Sequence, residues 1–293
     1  MHYFDTNELS HLYIPLDTSH KGQNGKLLLI GGSQLFHAAS LWALEISSRI
    51  VDMVFYASIP ENNAIVEKLK EQWRGGIVIP RDRIEEYIIE SHCVLIGPGM
   101  VRSDRFEKHK TFQNITDILA LPDEAEQTFY LTKYLLEKYP DKKWVIDAGA
   151  LQMMEPSWIP RNNCILTPHI QEFERLFHLE PSSMNVCDMS QKYHCVILLK
   201  RHIDTVASPA DCVLIEGGNA GMTKGGTGDV LAGLIAALAC KNDLFLAAKA
   251  GSYFNKKAGE VLYQKVGLYF NASDLAHAIP AVMGEIMKLH RHQ

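Results

Sequence analysis

Short runs of consecutive apolar residues alternate with helix-like segments along most of this chain. Continuous apolar strands joined by helices are typical of a parallel sheet that is covered on both faces. The runs that we predict as strands are 26–31, 53–58, 93–96, 143–146, 165–166 and 195–200, with a short extended segment at 77–80. The pattern therefore predicts an α/β fold, a three-layer sandwich whose mostly parallel central sheet is flanked by helices.

Between these strands the spacing of apolar residues follows a helical period. Helices are predicted at 38–50, 65–72, 84–90 and 129–139, and the chain after residue 228 is expected to be mostly helical. The segments 205–207 and 212–215 surround Pro209-Ala210-Asp211, which indicates a hairpin.

Length and composition limit the classes of protein that remain. A chain of 293 residues, 47% of them apolar, suits one large domain, and no linker or repeat interrupts it. We predict an N-terminal extension at 1–20 and a single domain at 21–293. The net charge of −5, without a block of Lys or Arg, argues against nucleic-acid binding.

The cysteines and the N-terminus bear on the compartment. Six scattered cysteines with no CxxC pair favour reduced thiols over a disulfide scaffold, and their spacing does not support zinc. The polar segment 1–20 lacks the apolar core of a signal peptide, and no apolar run is long enough to span a membrane. We therefore expect a soluble cytoplasmic protein without a membrane partner.

The segments at the ends of the predicted strands are more informative than the strands themselves. Polar or glycine-rich segments end five of them: Gly31-Gly32-Ser33, Gly97-Pro98-Gly99, Asp147-Ala148-Gly149, Thr167-Pro168-His169 and Lys200. Carboxyl ends of parallel strands meet at one edge of a sheet, where open α/β proteins bind ligands. Each segment alone is compatible with a plain turn, but together they predict a binding site at this edge.

The densest motif is Gly225-Gly226-Thr227-Gly228-Asp229, which directly precedes the apolar run 230–238. Glycines let the backbone turn sharply, and a helix N-terminus offers unpaired N–H groups and a partial positive charge. Together they form an anion hole suited to phosphate, with Asp229 at its rim as a candidate general base. The alternative is an ordinary turn in which Asp229 caps the helix.

In this order the motifs resemble those of the ADP- or ATP-dependent NAD(P)H-hydrate dehydratases, a branch of the ribokinase-like superfamily. The resemblance covers roughly residues 21–280. It is carried by Lys21-Gly22-Gln23-Asn24-Gly25, by the segments 31–33, 97–99 and 147–151, by the TPHxxE run at 167–172 and by the glycine-rich run at 219–229. Many members carry an N-terminal epimerase domain as well, and we expect that activity to be absent from this chain.

The resemblance implies a ribokinase-like fold and a hydro-lyase that repairs cofactors. Such enzymes dehydrate the S epimer of hydrated NADH or NADPH, by phosphorylating the added hydroxyl and then expelling phosphate, while ADP or ATP is hydrolysed. It implies Mg²⁺, an adenine nucleotide as co-substrate and a homo-oligomer, typically a tetramer.

The resemblance also assigns residues. Substrate contacts carry over to Ala39, Gly99, Met100, His169 and Asp229, of which Asp229 is catalytic. Nucleotide contacts carry over to Lys200, Arg201, His202, Ile203, Asp204, Gly225, Gly226, Thr227 and Gly228. Glu172 is a metal candidate that acts through water.

Several of these residues have a purely structural alternative. His169 is compatible with a satisfied structural histidine, Glu172 with a first-turn helix carboxylate, and Lys200 with a solvated lysine. Asp147 is either a candidate on the metal or phosphate side or a strand-end cap. Lys224 either meets phosphate or points to water.

Two places depart from the family pattern. The family's Pro-Gly-Ala-Ala stretch is replaced by His37-Ala38-Ala39-Ser40, which bears on the fit of the substrate. The glycine after Lys200 is replaced by Arg201, which either adds a phosphate contact or crowds the adenine site. Asp204 falls near the family's threonine, where its charge would repel a phosphate.

Two other functions remain open. One is a kinase for a small alcohol, such as a vitamin precursor or a sugar, using the same base and anion hole. The other is a nucleotide-binding protein without catalytic turnover. His169, where such kinases often have asparagine, favours the dehydratase, and the intact Asp229 favours an enzyme.

Overall fold

The described residues form one sheet of ten strands. The computed structural model describes residues 1–106 and 108–291, the last three of these by their backbone only. The strands are β1 (His2–Tyr3), β2 (Lys26–Ile30), β3 (Met53–Ala57), β4 (Ile77–Val78), β5 (Cys93–Ile96), β6 (Lys143–Ile146), β7 (Cys164–Leu166), β8 (Val196–Leu199), β9 (Asp204–Ala207) and β10 (Cys212–Ile215).

Eleven α-helices of the described residues surround the sheet. They are α1 (His37–Ser47), α2 (Pro60–Leu69), α3 (Ile84–Glu90), α4 (Ile115–Leu119), α5 (Glu124–Lys138), α6 (Ala148–Met153), α7 (Ile170–Phe177), α8 (Ser183–Tyr193), α9 (Thr227–Ala239), α10 (Leu244–Val266) and α11 (Ala272–Arg291). Short 3₁₀ helices lie at Thr6–His11, Arg81–Arg83, Pro156–Trp158 and Ala220–Thr223.

The strand order is β1-β10-β9-β8-β7-β6-β5-β2-β3-β4. Strands β2 to β8 run parallel to one another, and β9 is antiparallel to both strands beside it, β8 and β10. The predicted mostly parallel sheet and the predicted hairpin are both confirmed. The strands were readable from sequence because both faces are buried, which makes them continuously apolar.

Two cores lie on the two faces of this sheet. One is formed mainly with α1, α9, α10 and α11, and the other with α3 to α8. Helix α9 is enclosed, since eleven of its thirteen residues are buried. A helix that is apolar all round must be covered on every side, so α9 holds the glycine-rich turn at its N-terminus in a fixed position.

The first twenty residues are part of the same body. Strand β1 pairs in parallel with β10, and Leu9, in the 3₁₀ helix that follows, is fully buried in the core. Lys249 of α10 forms an ion pair with Glu8 beside it. The predicted extension at 1–20 therefore contributes an edge strand and a core side chain to the domain.

The cysteines differ from the sequence-based expectation at one pair. Cys187 of α8 and Cys212 of β10 form a disulfide, with a Cα–Cα distance of 6.0 Å. The expectation of reduced thiols is wrong for this pair, because the fold brings α8 against β10 although the two cysteines are 25 positions apart in sequence. Cys93, Cys164, Cys195 and Cys240 are free and buried, as small apolar side chains.

No helix in the described ranges combines the length and the hydropathy that crossing a membrane requires.

Candidate active site

The loops predicted to bind ligand meet at the carboxyl ends of β2, β5, β6, β7 and β8. The strand order reverses between β2 and β5, because the chain visits β3 and β4 on one side of β2 before placing β5 on the other. Ligands of open α/β sheets bind at such a reversal. The edge thus has the position that a binding site requires.

Lys200 lies between two buried carboxylates at this edge. Its Nζ donates to Oδ1 of Asp147 at 2.8 Å and lies 3.9 Å from Oε2 of Glu172. Burial alone would lower the pKa of Lys200, but Asp147 and Glu172 outweigh it and raise that pKa above its usual range. Lys200 is therefore a charged, paired lysine, and the alternative of a solvated strand end is wrong.

Asp147 is fixed from two sides. Besides Lys200, the hydroxyl of Thr167 donates to its Oδ1 at 2.8 Å. The side chain is 1% exposed, so loss of the ammonium would leave a buried charge unpaired, at a cost of about 3–5 kcal/mol. Asp147 makes no capping bond to α6, although it occupies the N-cap position. The Asp147 carboxylate is thus paired with Lys200 and does not act as a strand-end cap.

His169 and Glu172 form a capping box at the start of α7. The backbone N–H of Glu172 donates to His169 Nδ1 at 3.2 Å, and the backbone N–H of His169 donates to Glu172 Oε2 at 2.8 Å. Gln152 donates to the other oxygen, Oε1, at 2.7 Å. Both structural alternatives are therefore realised, yet the His169 side chain remains 46% exposed and available to a ligand.

Asp229 lies in the first turn of α9, where the N-cap is Gly226. The alternative in which Asp229 caps the helix is therefore wrong. Burial and the negative charges of Asp147 and Glu172 together raise the pKa of Asp229 to about 7, against the opposing charge of Lys200. A carboxyl group that titrates near neutral pH suits general acid–base chemistry.

The turn before Asp229 presents unpaired backbone donors. The backbone N–H groups of Gly225, Gly226 and Gly228 have no acceptor among the described residues, as expected at a helix N-terminus. A Cβ on Gly228 would lie 3.5 Å from Lys200 Nζ, so the ammonium borders this turn. Free N–H donors, a helix dipole and a lysine together make an anion site.

Lys224 does not contribute to that anion site. Its Nζ donates to the carbonyl oxygens of Leu268 and Phe270, in the segment between α10 and α11, and lies over the Phe270 ring. Both alternatives drawn from sequence, phosphate and water, are wrong for this side chain.

We call the loops at 31–33, 97–100 and 147–149 the glycine-loop half of the site. They pack backbone against backbone: the N–H of Gly32 donates to the carbonyl of Pro98 at 2.7 Å, and a Cβ on Gly97 would overlap the carbonyl oxygen of Asp147. Ala39 borders this half, because a Cβ on Gly99 would lie 3.1 Å from the Ala39 Cβ. Met100, Gly99 and Ala39 are thus brought together, as predicted.

The His37 side chain, at the first departure from the family pattern, is held by a hydrogen bond beside the glycine-loop half. Its Nδ1 shares a 2.6 Å hydrogen bond with Oδ1 of the buried Asn62. Asn62 in turn donates to Ser58 and to the carbonyl of Ser33. The histidine thus continues a buried polar network that supports the loop after β2.

We call the second half of the site the cavity half. It is a cavity of about 630 Å³ that begins beside Lys200 and Gly228 and extends to α10. Six predicted nucleotide contacts line it, namely Lys200, Arg201, His202, Asp204, Thr227 and Gly228. Ile203, Gly225 and Gly226 do not line it, and a Cβ on Gly226 would overlap the Trp42 ring.

Arg201 and Asp204, at the second departure from the family pattern, both line this cavity. The Arg201 guanidinium donates to the carbonyl of Pro181 at 3.0 Å and is exposed. Asp204 is buried, accepts from Arg201 N and Ser252 Oγ, and lies 3.3 Å from Lys256 Nζ. Burial raises the pKa of Asp204, and Lys256 compensates its charge.

Several residues at the site were missed by the reasoning from sequence. Gln152 orients Glu172, while Asn255 and Lys256 line the cavity from α10. No motif marks them, but Lys249 and Lys256 interrupt a helix face that is otherwise small and apolar, which was a usable signal. A further cavity of about 680 Å³, lined by Asp104, Arg175 and their neighbours, contains none of the predicted site residues.

Comparison with solved structures defines the class. A ribokinase-like superfamily protein from Enterococcus faecalis aligns with a TM-score of 0.80 and 22% identity, covering 97% of this chain and 96% of that one. The ADP/ATP-dependent NAD(P)H-hydrate dehydratase from Bacillus subtilis, co-crystallised with ATP and Mg²⁺, gives 0.78 and 21%, covering 97% and 98%. The fold is thus ribokinase-like.

Sequence comparison then defines the family. The family model described as NAD(P)H-hydrate dehydratase matches residues 27–281, and the chain belongs to this family. The ADP-dependent (S)-NAD(P)H-hydrate dehydratase of Nitrosopumilus maritimus is 30% identical over 294 residues, covering 97% of this chain and 98% of the relative.

Other relatives are longer than this chain. The bifunctional NAD(P)H-hydrate repair enzyme of Methanocaldococcus jannaschii is 33% identical over 274 residues, which are 90% of this chain and 49% of that enzyme. The chain thus spans about half the length of the bifunctional relatives that it matches.

Proposed function

We propose that this protein catalyses the ADP- or ATP-dependent dehydration of the S epimer of NAD(P)H hydrate, restoring NADH or NADPH. One observation carries the proposal: Asp229, with a pKa raised to about 7, lies directly after a turn of unpaired N–H donors and near the charges of Lys200, Asp147 and Glu172. Family membership supports it, as do relatives that bear this activity in their names.

Asp229 acts as the general base in the first step. It takes the proton of the hydroxyl that hydration added to the nicotinamide ring, and the hydroxyl oxygen attacks the terminal phosphorus of the nucleotide. The bond from that phosphorus to the bridging oxygen breaks, which releases AMP from ADP or ADP from ATP. A base with a pKa near the working pH combines a sufficient ionised fraction with adequate proton affinity.

The glycine-rich turn and Lys200 stabilise the charge that moves during this step. The N–H groups of Gly225, Gly226 and Gly228 are fixed by the enclosed helix α9, so they need no reorganisation as the phosphoryl group transfers. Lys200 borders the same turn and is held by Asp147. In the second step the ring nitrogen donates its electron pair and phosphate leaves from the ring carbon. A proton is then lost from the neighbouring carbon, which restores the double bond.

The carboxylates at the site do not fit a metal held by the protein alone. Both oxygens of Glu172 already accept hydrogen bonds, and Lys200 occupies the space between Glu172 and Asp147. No cluster of three potential metal ligands occurs among the residues that the structure describes. Mg²⁺ in this proposal therefore arrives on the nucleotide phosphates and keeps water ligands, and we derive no step through it.

The substrate and nucleotide also suggest where the protein acts. NAD(P)H and adenine nucleotides are cytoplasmic metabolites, and we place the enzyme in the cytoplasm. The homo-oligomer expected from the family resemblance remains a prediction.

The assay for this proposal mixes the protein with hydrated NADH, ADP or ATP, and Mg²⁺, and follows the absorbance of reduced nicotinamide. We expect recovery of NADH that depends on nucleotide. Because Asp229 must be ionised, the rate should fall as the pH drops below about 7. Asp229→Asn should lower kcat by about 10³-fold while binding the nucleotide normally.

Two outcomes would contradict the proposal. Nucleotide turnover only when another alcohol is supplied would indicate a kinase. Near-normal turnover by Asp229→Asn would remove the proposed base.

A further inference from the structure

The cavity half contains an amide side chain whose hydrogen-bonding capacity is not used. Asn255 of α10 lines the cavity and is 5% exposed. Its Oδ1 is buried and has no hydrogen-bond partner among the described residues. Leaving a buried polar group unpaired costs about 1–3 kcal/mol, so an amide in this state points to a partner from outside the protein.

The other buried polar side chains of the cavity are already committed. Lys256 donates to the carbonyls of Arg201, His202 and Gly217 and pairs with Asp204. Asn219, half-buried, donates to the carbonyl of Gly259 and accepts from the N–H of Gly221. Among the described residues that line the cavity, Asn255 is therefore the buried side chain left to recognise a ligand.

The position of Asn255 matches the base of a nucleotide. In the proposed function the phosphates lie at Gly228 and Lys200, and Asn255 of α10 lines the same cavity. Leu231 and Met222 supply apolar parts of its wall. A flat apolar ring with polar atoms at its edge fits such a compartment.

We propose that Asn255 reads the edge of the nucleotide base and selects adenine over guanine. The inference rests on the proposed function, since it takes the nucleotide site as given. An amide presents one acceptor beside one donor, which complements the 6-amino group of adenine and the neighbouring ring nitrogen. Rotation about the broad terminal torsion of asparagine brings both atoms to the base.

The experiment measures the affinity of the whole protein for ADP and for GDP, each with Mg²⁺, by calorimetry. The wild type should prefer ADP. Asn255→Leu should weaken ADP binding by about 10- to 100-fold and remove the preference. Asn255→Asp presents two acceptors, which suit the N–H donors of guanine, so the ADP-to-GDP ratio should fall below that of Asn255→Leu.

Thr223→Val is the matched control at the rim of the same cavity. The Thr223 hydroxyl donates to the carbonyl of Ala220, within its own turn, so its removal should leave the ADP-to-GDP ratio unchanged. Thermal unfolding of each variant establishes that it is folded, and the two Asn255 variants are independent tests should one of them not fold.

The outcomes separate this inference from the function on which it rests. If the wild type binds ADP but both Asn255 variants keep its affinity and its preference, the role of Asn255 is overturned and the dehydratase proposal stands. If the wild type binds neither nucleotide, both are overturned.

Discussion

The two halves of the site are built from different materials. In the glycine-loop half, backbone packs on backbone, and glycines are required because no Cβ would fit at Gly31, Gly97 or Gly149. In the cavity half, buried side chains hold the loops together through charge, with Lys256 and Asp204 at the centre. One half is therefore determined by the shape of the main chain, and the other by pairs of side chains.

This difference explains how each half tolerates substitution. A backbone-built surface changes only when the main chain moves, so a single added methyl group disturbs it. A surface held by ion pairs fails when one partner is removed, but recovers when both are replaced together. Three substitutions test these two behaviours, from the largest expected effect to the smallest.

Gly97→Ala should disrupt the glycine-loop half. Gly97 has φ +124, which disfavours any side chain, and the new Cβ would overlap the Asp147 carbonyl oxygen. We expect the midpoint of thermal unfolding to fall by more than about 10 °C. Gly225→Ala is the control, because a Cβ there meets no atom within 4 Å, and its midpoint should stay within about 2 °C. Equal effects of the two substitutions would contradict the steric requirement for glycine at position 97.

Lys256→Met should destabilise the cavity half by about 3–5 kcal/mol, since it leaves Asp204 buried without its cation. The free energy of unfolding in denaturant measures the change, and nucleotide affinity should fall as the loops held by Lys256 loosen. Adding Asp204→Asn should recover part of the loss. A double variant no more stable than the single one would show that the pair is not the unit of stability.

Arg201→Gly should have the smallest effect. The guanidinium is exposed and bound to the carbonyl of Pro181, and an interaction of that kind contributes less than about 1 kcal/mol. We expect nucleotide affinity, measured by calorimetry, to change by less than about threefold. A clear tightening would mean that Arg201 crowds the base after all.

The two halves of the site differ in how much of each could be predicted from sequence. The glycine-loop half could be predicted from sequence because its glycines follow apolar strands. The ends of such strands meet at one edge of a parallel sheet. Gly97 and Asp147 could therefore be placed at the same edge from sequence alone. The register that sets the Gly97 Cβ against the Asp147 carbonyl could not be read, because it depends on the packing of the two loops.

Most contacts of the cavity half could not be predicted from sequence. Lys256 and Asn255 belong to α10, far along the chain from Asp204. No local sequence motif indicates that these residues line the same cavity. Lys224 shows the opposite error, since its place in the glycine-rich run suggested phosphate while its ammonium binds the carbonyls of Leu268 and Phe270. Side-chain direction at such positions is decided by tertiary neighbours. The disulfide between Cys187 and Cys212 was not predicted, since it too depends on tertiary packing.

The enclosure of helix α9 has a consequence for motion as well as for chemistry. With eleven of thirteen residues buried, α9 has no face from which to fray, and its amide hydrogens should exchange only when the whole molecule opens. Damage to α1 or α10, which pack on it, would thus lower the amount of folded protein and leave the site of each folded molecule unaltered. The fraction of competent molecules in a sample would then equal its folded fraction.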